Sequence, residues 1–219
     1  MEVAKPDLEN LKQQLYHGTT TVGLVCKDGV VLASERRATM GHFIASKSAK
    51  KIYTVDDRMA LTTAGLVGDA QTLARIVAVE ARLYRLRRGE PMSVRAMSSL
   101  LANILNGNRY FPYYVQLLAG GVDRTGPAVY SIDAVGGQLD EKTIVSTGSG
   151  SPIAYGVLEE HFKKDMSLDD GVALAVQALH AAMKRDAASG EGIEAVKVTS
   201  GTVEVVPEEA IRRVRDRLS

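Results

Sequence analysis

Cysteine and aromatic side chains are scarce in this chain: its 219 residues include one cysteine, no tryptophan and three phenylalanines. Because Cys26 is the single cysteine, an intrachain disulfide is impossible, and a zinc site built from cysteines within one chain is nearly so. Such cysteine usage is typical of a reducing compartment, so we expect the protein to be cytoplasmic.

An excess of charge of one sign is also missing, as are long apolar runs. With 27 Lys and Arg against 26 Asp and Glu, the formal net charge is +1, so no overall field favours nucleic acid or a membrane surface. No apolar stretch reaches membrane-spanning length. The four histidines lack a metal-ligand spacing such as HExxH, so we expect catalysis without a metal or an organic cofactor. A basic cluster over residues 82–88 is best explained as the solvated end of a helix.

The chain alternates between two hydrophobic periods, which predicts its secondary structure. Residues 20–35 have the pattern of a hairpin with Asp28-Gly29 at its turn, and further strand-like segments follow as far as residue 65. Apolar positions at helical spacing then predict a pair of helices, and strands and helices alternate again further along. The predicted helices cover 67–88, 93–105, 152–162, 168–188 and 207–218. The later predicted strands cover 114–122, 127–133, 142–148, 193–199 and 202–206. Gly136-Gly137 marks the turn between residues 133 and 142.

This order of elements predicts the fold class. Successive strands are joined by short connections without helices between them, which favours antiparallel pairing over a parallel sheet. Two antiparallel sheets packed face to face, with a helix layer outside each, would bury every apolar face. We therefore expect an α+β protein, a four-layer αββα sandwich formed by one domain over residues 19–219.

The segment GTTTVG at residues 18–23 admits two interpretations. Threonine is β-branched and favours strands, so a strand simply begins here. Alternatively, the chain is cut between Gly18 and Thr19, and residues 1–18 are a propeptide that is removed on maturation. As the new N-terminal residue, Thr19 would carry both a hydroxyl nucleophile and an α-amine whose ordinary pKa is about 7.7–8.0. One residue would then supply both the nucleophile and the general base. While the leader is attached the amine is an amide, and that base does not exist.

Several stretches in one order carry a family resemblance. They are GTTTVGL, ASERRATMG, KSAKKIY, TTAGLVGDAQ, YYVQLLAGGVD, YSIDAVGG, STGSGSPIAYGVLE and RDAASGEGI, spread from residue 18 to about residue 206. On these stretches the chain resembles proteasome β subunits of the archaeal type, within the superfamily of N-terminal nucleophile hydrolases. The resemblance implies the same four-layer fold and a threonine endopeptidase.

The resemblance also implies roles for three residues at the centre of a catalytic site. Thr19 matches the nucleophile, and Lys51 matches the buried lysine that holds the threonine Oγ and tunes the amine electrostatically. Glu35 matches the acidic partner of that lysine, where many family members have aspartate. Taken singly, a lysine in this context would be a surface residue and a glutamate at a strand end would be solvated.

Four further positions match groups around the amine and the developing oxyanion. Asp186 and Ser189 match a pair that positions the N-terminal amine, and Ser149 matches a third neighbour of that amine. Gly65 matches the residue whose backbone N–H stabilises the oxyanion. Each has a structural alternative, since Asp186 and Ser189 could end a helix with Gly190 as its cap, Ser149 could be an N-cap, and the glycine could serve turn geometry.

By the same resemblance, five residues form the substrate pocket beside the threonine. None of them is charged, so we expect cleavage mainly after apolar residues, a chymotrypsin-like preference. The residues are Ala38, Ala49, Tyr53, Thr63 and Val67.

The resemblance implies an assembly as well as an activity. Seven β subunits would form a ring, two β rings would stack, and a ring of α subunits would cap each end, with an ATP-dependent unfoldase delivering unfolded protein substrates. Three alternatives stay open: a structural β subunit that never matures, another N-terminal nucleophile amidohydrolase such as an acylase, and the bacterial two-ring relative. Neither nucleic acid nor a membrane is expected as a partner.

Overall fold

The computed structural model describes residues 18–218, so the predicted propeptide lies outside the described residues except for Gly18. Two five-stranded antiparallel sheets and a separate two-stranded hairpin make up the strands. The first sheet has the order β10-β1-β2-β11-β12. Its strands are β1 (Thr20–Cys26), β2 (Gly29–Glu35), β10 (Ile144–Gly148), β11 (Ile193–Val198) and β12 (Val203–Val205).

The second sheet has the order β5-β6-β7-β8-β9. Its strands are β5 (Ile52–Asp56), β6 (Met59–Gly65), β7 (Val115–Asp123), β8 (Gly126–Ile132) and β9 (Gln138–Glu141). The hairpin of β3 (Ala38–Met40) and β4 (Phe43–Ser46) belongs to neither sheet. Met40 and Phe43 on this hairpin are exposed, so it projects beside the layers instead of adding to their core.

Five helices cover the outer faces of the two sheets within the described residues. They are α1 (Val67–Arg88), α2 (Val94–Gly107), α3 (Ser151–His161), α4 (Leu168–Arg185) and α5 (Glu208–Asp216). Helices α1 and α2 form one hydrophobic cluster with the second sheet, and α3, α4 and α5 form another with the first sheet. Within residues 18–218, the apolar stretches of these helices are too short for any of them to span a membrane.

A third hydrophobic cluster lies between the two sheets and completes the four layers. It joins Val30 and Leu32 of the first sheet to Ala60, Leu118 and Val129 of the second. Strand β2 is buried along all seven of its residues, because helices cover one face of its sheet and the second sheet covers the other. The predicted αββα sandwich is confirmed.

Several element ends differ by one to three residues from the sequence-based prediction, and two differences have a clear cause. Helix α4 ends at Arg185, three residues earlier than predicted, because Asp186 takes an extended backbone conformation and caps it. The segment that forms strand β9 was predicted as a turn region, because its sequence QLDE has little hydrophobic pattern. It forms an edge strand, which pairs with only one neighbour, β8. Arg85, Arg87 and Arg88 of the basic cluster lie on the exposed last turn of α1, where the helix dipole favours cations.

Replacing Leu118 by alanine tests the packing between the sheets. Leu118 is fully buried there, so Leu118→Ala should lower the free energy of unfolding by about 2–5 kcal/mol. Leu139 on β9 is 67% exposed, and Leu139→Ala should change it by less than about 0.5 kcal/mol. Denaturant unfolding of both variants measures the difference, and equal losses would contradict a core between the sheets.

Candidate active site

Strand topology brings the predicted site residues to one edge of the two sheets. Because β1 runs antiparallel to β2 and β10, the start of β1 at Thr20 lies beside the ends of both, with Thr20 opposite Gly148 and Thr21 opposite Ser34. In the second sheet, the start of β5 likewise meets the end of β6. The loops and strand ends at this edge therefore carry Thr19, Glu35, Lys51, Gly65 and Ser149.

Lys51 lies at the centre of the site and directs its ammonium group at three acceptors. Its Nζ donates to Thr19 Oγ1 at 3.0 Å, to the backbone oxygen of Arg37 at 2.5 Å and to the carboxylate of Glu35. An ammonium has three N–H groups, so all of them are used. The alternative of a surface lysine is wrong, because Lys51 is only 5% exposed.

Thr19 is buried directly before β1 and makes two hydrogen bonds through its hydroxyl. Its Oγ1 accepts from Lys51 and donates to the backbone oxygen of Gly18 at 2.7 Å. The hydroxyl therefore lies beside the peptide bond at which cleavage is predicted. A Cβ on residue 18 would come 1.7 Å from Ala188 Cβ, so the packing at this bond admits only glycine.

Glu35 is fully buried and receives a hydrogen bond on every side of its carboxylate. Oε1 accepts from Lys51 and from the backbone N–H of Thr20, and Oε2 accepts from the backbone N–H groups of Arg37 at 2.6 Å and Gly190 at 3.0 Å. These donors favour the charged carboxylate, yet burial outweighs them and raises the pKa of Glu35. Burial also lowers the pKa of Lys51, which the charge of Glu35 opposes.

Asp186 gathers two serine hydroxyls next to the first two threonines. Both Ser149 Oγ and Ser189 Oγ donate to Asp186 Oδ2 at 2.6 Å. Since the hydroxyl proton of Ser189 is used in this way, Thr20 donates its own to Ser189 Oγ across 2.7 Å. The Ser149 hydroxyl has a single proton, which it gives mainly to Asp186 at the shorter distance, and its Oγ also lies 3.4 Å from the backbone oxygen of Thr19.

The structural alternatives for these residues fare differently. Ser149 is not an N-cap, because Gly150 occupies that position of α3. Gly190 is not the cap of α4, because Asp186 is, so Asp186 both ends the helix and lies in the polar cluster. The roles of Ser149, Asp186 and Ser189 towards a free amine stay predictions, since Thr19 is joined to Gly18 here.

A cavity of about 380 Å³ opens beside Thr19. Four of the five predicted pocket residues line it, whereas Ala49 is not among its lining residues. Met40 and Ala45 of the β3–β4 hairpin form part of its wall, which the sequence did not indicate because a short hairpin carries no pocket signature. Lys50 also lines it, so the cavity is less free of charge than predicted.

Gly65 borders the same cavity at the end of β6. Its φ of 120° lies in a region that residues with a Cβ avoid, and a Cβ there would come 2.0 Å from the backbone oxygen of Tyr114. The geometry thus requires glycine at this position, and no side chain of its own covers its backbone in the cavity that Thr19 also lines. Its role as oxyanion donor stays a prediction.

Sequence reasoning missed the part that backbone groups play here. Arg37 contributes its N–H to Glu35 and its carbonyl oxygen to Lys51, and Gly190 contributes its N–H to Glu35. Backbone groups leave no mark in a sequence; the one indirect signal was the position of Arg37 inside ASERRATMG. In residues 18–218, no group of three or more histidine, cysteine or acidic residues is arranged to hold a metal ion.

Removing the cation of the buried pair should make stability depend on pH. In Lys51→Met the Glu35 charge is buried without its ion-pair partner, so the free energy of unfolding at pH 8 should fall by about 3–5 kcal/mol. The carboxyl pKa then lies above its unfolded value of 4.5, so the native state binds the extra proton, and stability should recover as pH falls from 8 towards 4.5.

Thermal unfolding of the variant across this pH range checks that expectation. Lys50→Met, which removes the neighbouring exposed lysine, is the matched control and should follow the wild-type protein. Adding Glu35→Gln to Lys51→Met should abolish the extra pH dependence. A flat pH profile for Lys51→Met alone would contradict the buried ion pair.

Comparison with known proteins agrees with this geometry. The sequence model of the family described as Proteasome subunit matches residues 15–198. A curated proteasome subunit beta of Archaeoglobus profundus is 60% identical over 92% of this chain and 94% of its own length. The proteasome subunit beta of Methanothrix thermoacetophila is 59% identical over 92% of this chain and 97% of its own length. That of Archaeoglobus fulgidus is 61% identical over 86% of this chain and 89% of its own length. With matches of this extent, the chain belongs to the proteasome subunit family.

Proposed function

We propose that this chain is the catalytic β subunit of a proteasome core particle and that it is a threonine endopeptidase with Thr19 as its nucleophile. The observation that carries the proposal is the hydrogen bond from Lys51 Nζ to Thr19 Oγ1 inside a buried, fully hydrogen-bonded site. A structural β subunit would have no use for a buried cation on that hydroxyl. The cost of burying Lys51 and Glu35 favours a chemical role.

Maturation is the first reaction in this proposal. Thr19 Oγ attacks the carbonyl carbon of Gly18, and its proton passes to the Thr19 nitrogen as the C–N bond breaks. The acyl group thereby moves from nitrogen to oxygen, and the nitrogen becomes a free amine. Water then hydrolyses the ester, which releases residues 1–18 as a carboxylic acid and restores the Thr19 hydroxyl beside the free amine. The 2.7 Å contact between Thr19 Oγ1 and the Gly18 oxygen supports attack at this bond, because the hydroxyl already lies beside it.

Peptide cleavage follows the same path with the amine as base. The free amine accepts the Oγ proton, Oγ attacks the scissile carbonyl carbon, and the Gly65 N–H stabilises the oxyanion. The leaving amine takes the proton, and water hydrolyses the acyl ester. The positive charge of Lys51 disfavours protonation of the nearby amine, which keeps it available as a base at neutral pH. Ser149, Asp186 and Ser189 hold the amine in place.

The same proposal includes partners and substrates. The chain would assemble with other β subunits in heptameric rings, with capping rings of α subunits, and would receive unfolded proteins from an ATP-dependent unfoldase in the cytoplasm. An acylase of the same superfamily is the main competing enzyme class. It would need polar groups dedicated to one substrate, whereas Ala38, Val67 and Met40 line this cavity, which supports a general peptidase.

The intact mass of the chain tests the nucleophile. After assembly with an archaeal α subunit, the wild-type chain should lose residues 1–18, about 2 kDa, and Thr19→Ala should keep them because the attacking hydroxyl is gone. Thr21→Ala, two residues further along the chain in β1, is the matched control and should mature. A wild-type chain that keeps its leader after assembly would favour the non-maturing structural subunit.

Substrate preference tests the pocket. Fluorogenic peptides with leucine or tyrosine before the scissile bond should have a kcat/KM about tenfold above those with arginine there, since the cavity is largely apolar and Lys50 repels a cation. Val67→Glu should narrow that difference, because its carboxylate would attract the arginine side chain of the substrate. Equal rates for all peptides would contradict a specificity pocket at this cavity.

A further inference from the structure

The loop between α4 and β11 carries three groups of the site. Asp186, Ser189 and the N–H of Gly190 all lie within it. The next residue, Glu191, has a backbone φ of 71°, a left-handed conformation that glutamate rarely adopts. Such a conformation persists only where surrounding contacts enforce it, so something must hold this end of the loop.

The side chain of Arg37 supplies those contacts. Its Nη1 donates to the backbone oxygen of Ala187 at 2.7 Å, and its Nη2 donates to Glu191 Oε1 at 3.1 Å. The guanidinium also lies against Gly190, where a Cβ would come 2.3 Å from Nη2. The Arg37 and Glu191 side chains are only 21% and 20% exposed, so solvent screens their ion pair less than a surface pair.

The backbone of Arg37 belongs to the catalytic centre. Its N–H donates to Glu35 Oε2 and its carbonyl oxygen accepts from Lys51. One residue therefore holds the loop by its side chain and the buried ion pair by its main chain.

We propose that Glu191 is a positioning residue for peptide cleavage, because its ion pair with Arg37 holds the loop over residues 186–190 in place. In that position the Gly190 N–H donates to Glu35, and Asp186 accepts from Ser149 and Ser189. This inference rests on the proposed function. Lys47 Nζ, 3.8 Å from the other Glu191 oxygen, is 73% exposed and adds little. Glu191 itself touches none of the reacting atoms and acts only through Arg37 and the loop.

Weakening the pair has a consequence for pH dependence. If the loop relaxes, Glu35 loses the Gly190 N–H, one of the groups that lower the pKa of its carboxyl. The charged groups that face the Glu35–Lys51 pair are Arg37 from the β2–β3 connection and Asp186 from the loop itself. The pKa of Glu35 should therefore rise. Because a protonated Glu35 no longer holds the Lys51 ammonium against Thr19, activity on the acidic side of the profile should be lost at higher pH.

Glu191→Gln removes the charge at constant volume. In the mature assembled particle it should lower kcat about fivefold with KM within about twofold of wild type, and shift the acidic limb upward by about half a pH unit. Glu191→Asp keeps the carboxylate and should restore most of kcat. Gly190→Ala pushes the guanidinium away with both charges intact, and should resemble Glu191→Gln.

Asp165 offers a matched control, because it is the other non-glycine residue with positive φ among residues 18–218. It lies between α3 and α4, where Met166 contacts the β1–β2 turn at the far end of β1 from Thr19. Asp165→Asn should leave kcat and the pH profile unchanged. Equal effects of Asp165→Asn and Glu191→Gln would mean a general loss of stability and would overturn the inference.

Hydrogen exchange of the 186–192 segment separates this inference from the proposed function. Glu191→Gln should speed exchange of the Gly190 amide about tenfold, whether or not the particle is active. Unchanged exchange, or wild-type kcat and pH profile in Glu191→Gln, would overturn the positioning role while Thr19 chemistry stands. If the wild-type particle cleaves nothing, the proposed function fails and the positioning role of Glu191 fails with it.

Discussion

The buried ion pair between Lys51 and Glu35 is the constraint on which the rest of the site depends. A carboxylate and an ammonium can be buried together only if their remaining hydrogen-bonding positions are filled. Here the filling groups come from β1, from the β2–β3 connection and from the loop before β11, so segments far apart in the chain must converge on one edge. Once they do, Thr19 receives a hydrogen bond from Lys51 as the third acceptor of that ammonium.

The site forms before the bond between Gly18 and Thr19 is cut. The ion pair, the Asp186 cluster and the cavity are all present while Thr19 is still joined to Gly18, so the site does not need the free amine in order to form. In the proposed mechanism, the attached leader withholds one functional group, the Thr19 amine. A site that is complete except for its base can make the first cut within its own chain and gain that base as the product.

Much of this molecule could be predicted from the sequence, and the exceptions have physical causes. Helix α1 was predicted residue for residue because its apolar spacing and Gly89 leave little choice. Helix α4 was overextended, since Ala187 and Ala188 favour a helix while Asp186 is drawn into contact with two serines. Resemblance brought Thr19, Lys51 and Glu35 together correctly, but the backbone donors and the left-handed Glu191 are tertiary effects that no local pattern records.

The most direct measurement of the central claim is the location of a covalent adduct. The matured particle would be treated with a peptide electrophile that acylates hydroxyl nucleophiles, and the labelled chain would be digested and mapped by mass spectrometry. The account predicts one adduct, on the peptide that begins at Thr19, and none in Lys51→Met, whose threonine lacks its neighbouring cation. An adduct on Ser149 or Lys51, or an unlabelled Thr19 in a particle that still cleaves peptides, would contradict it.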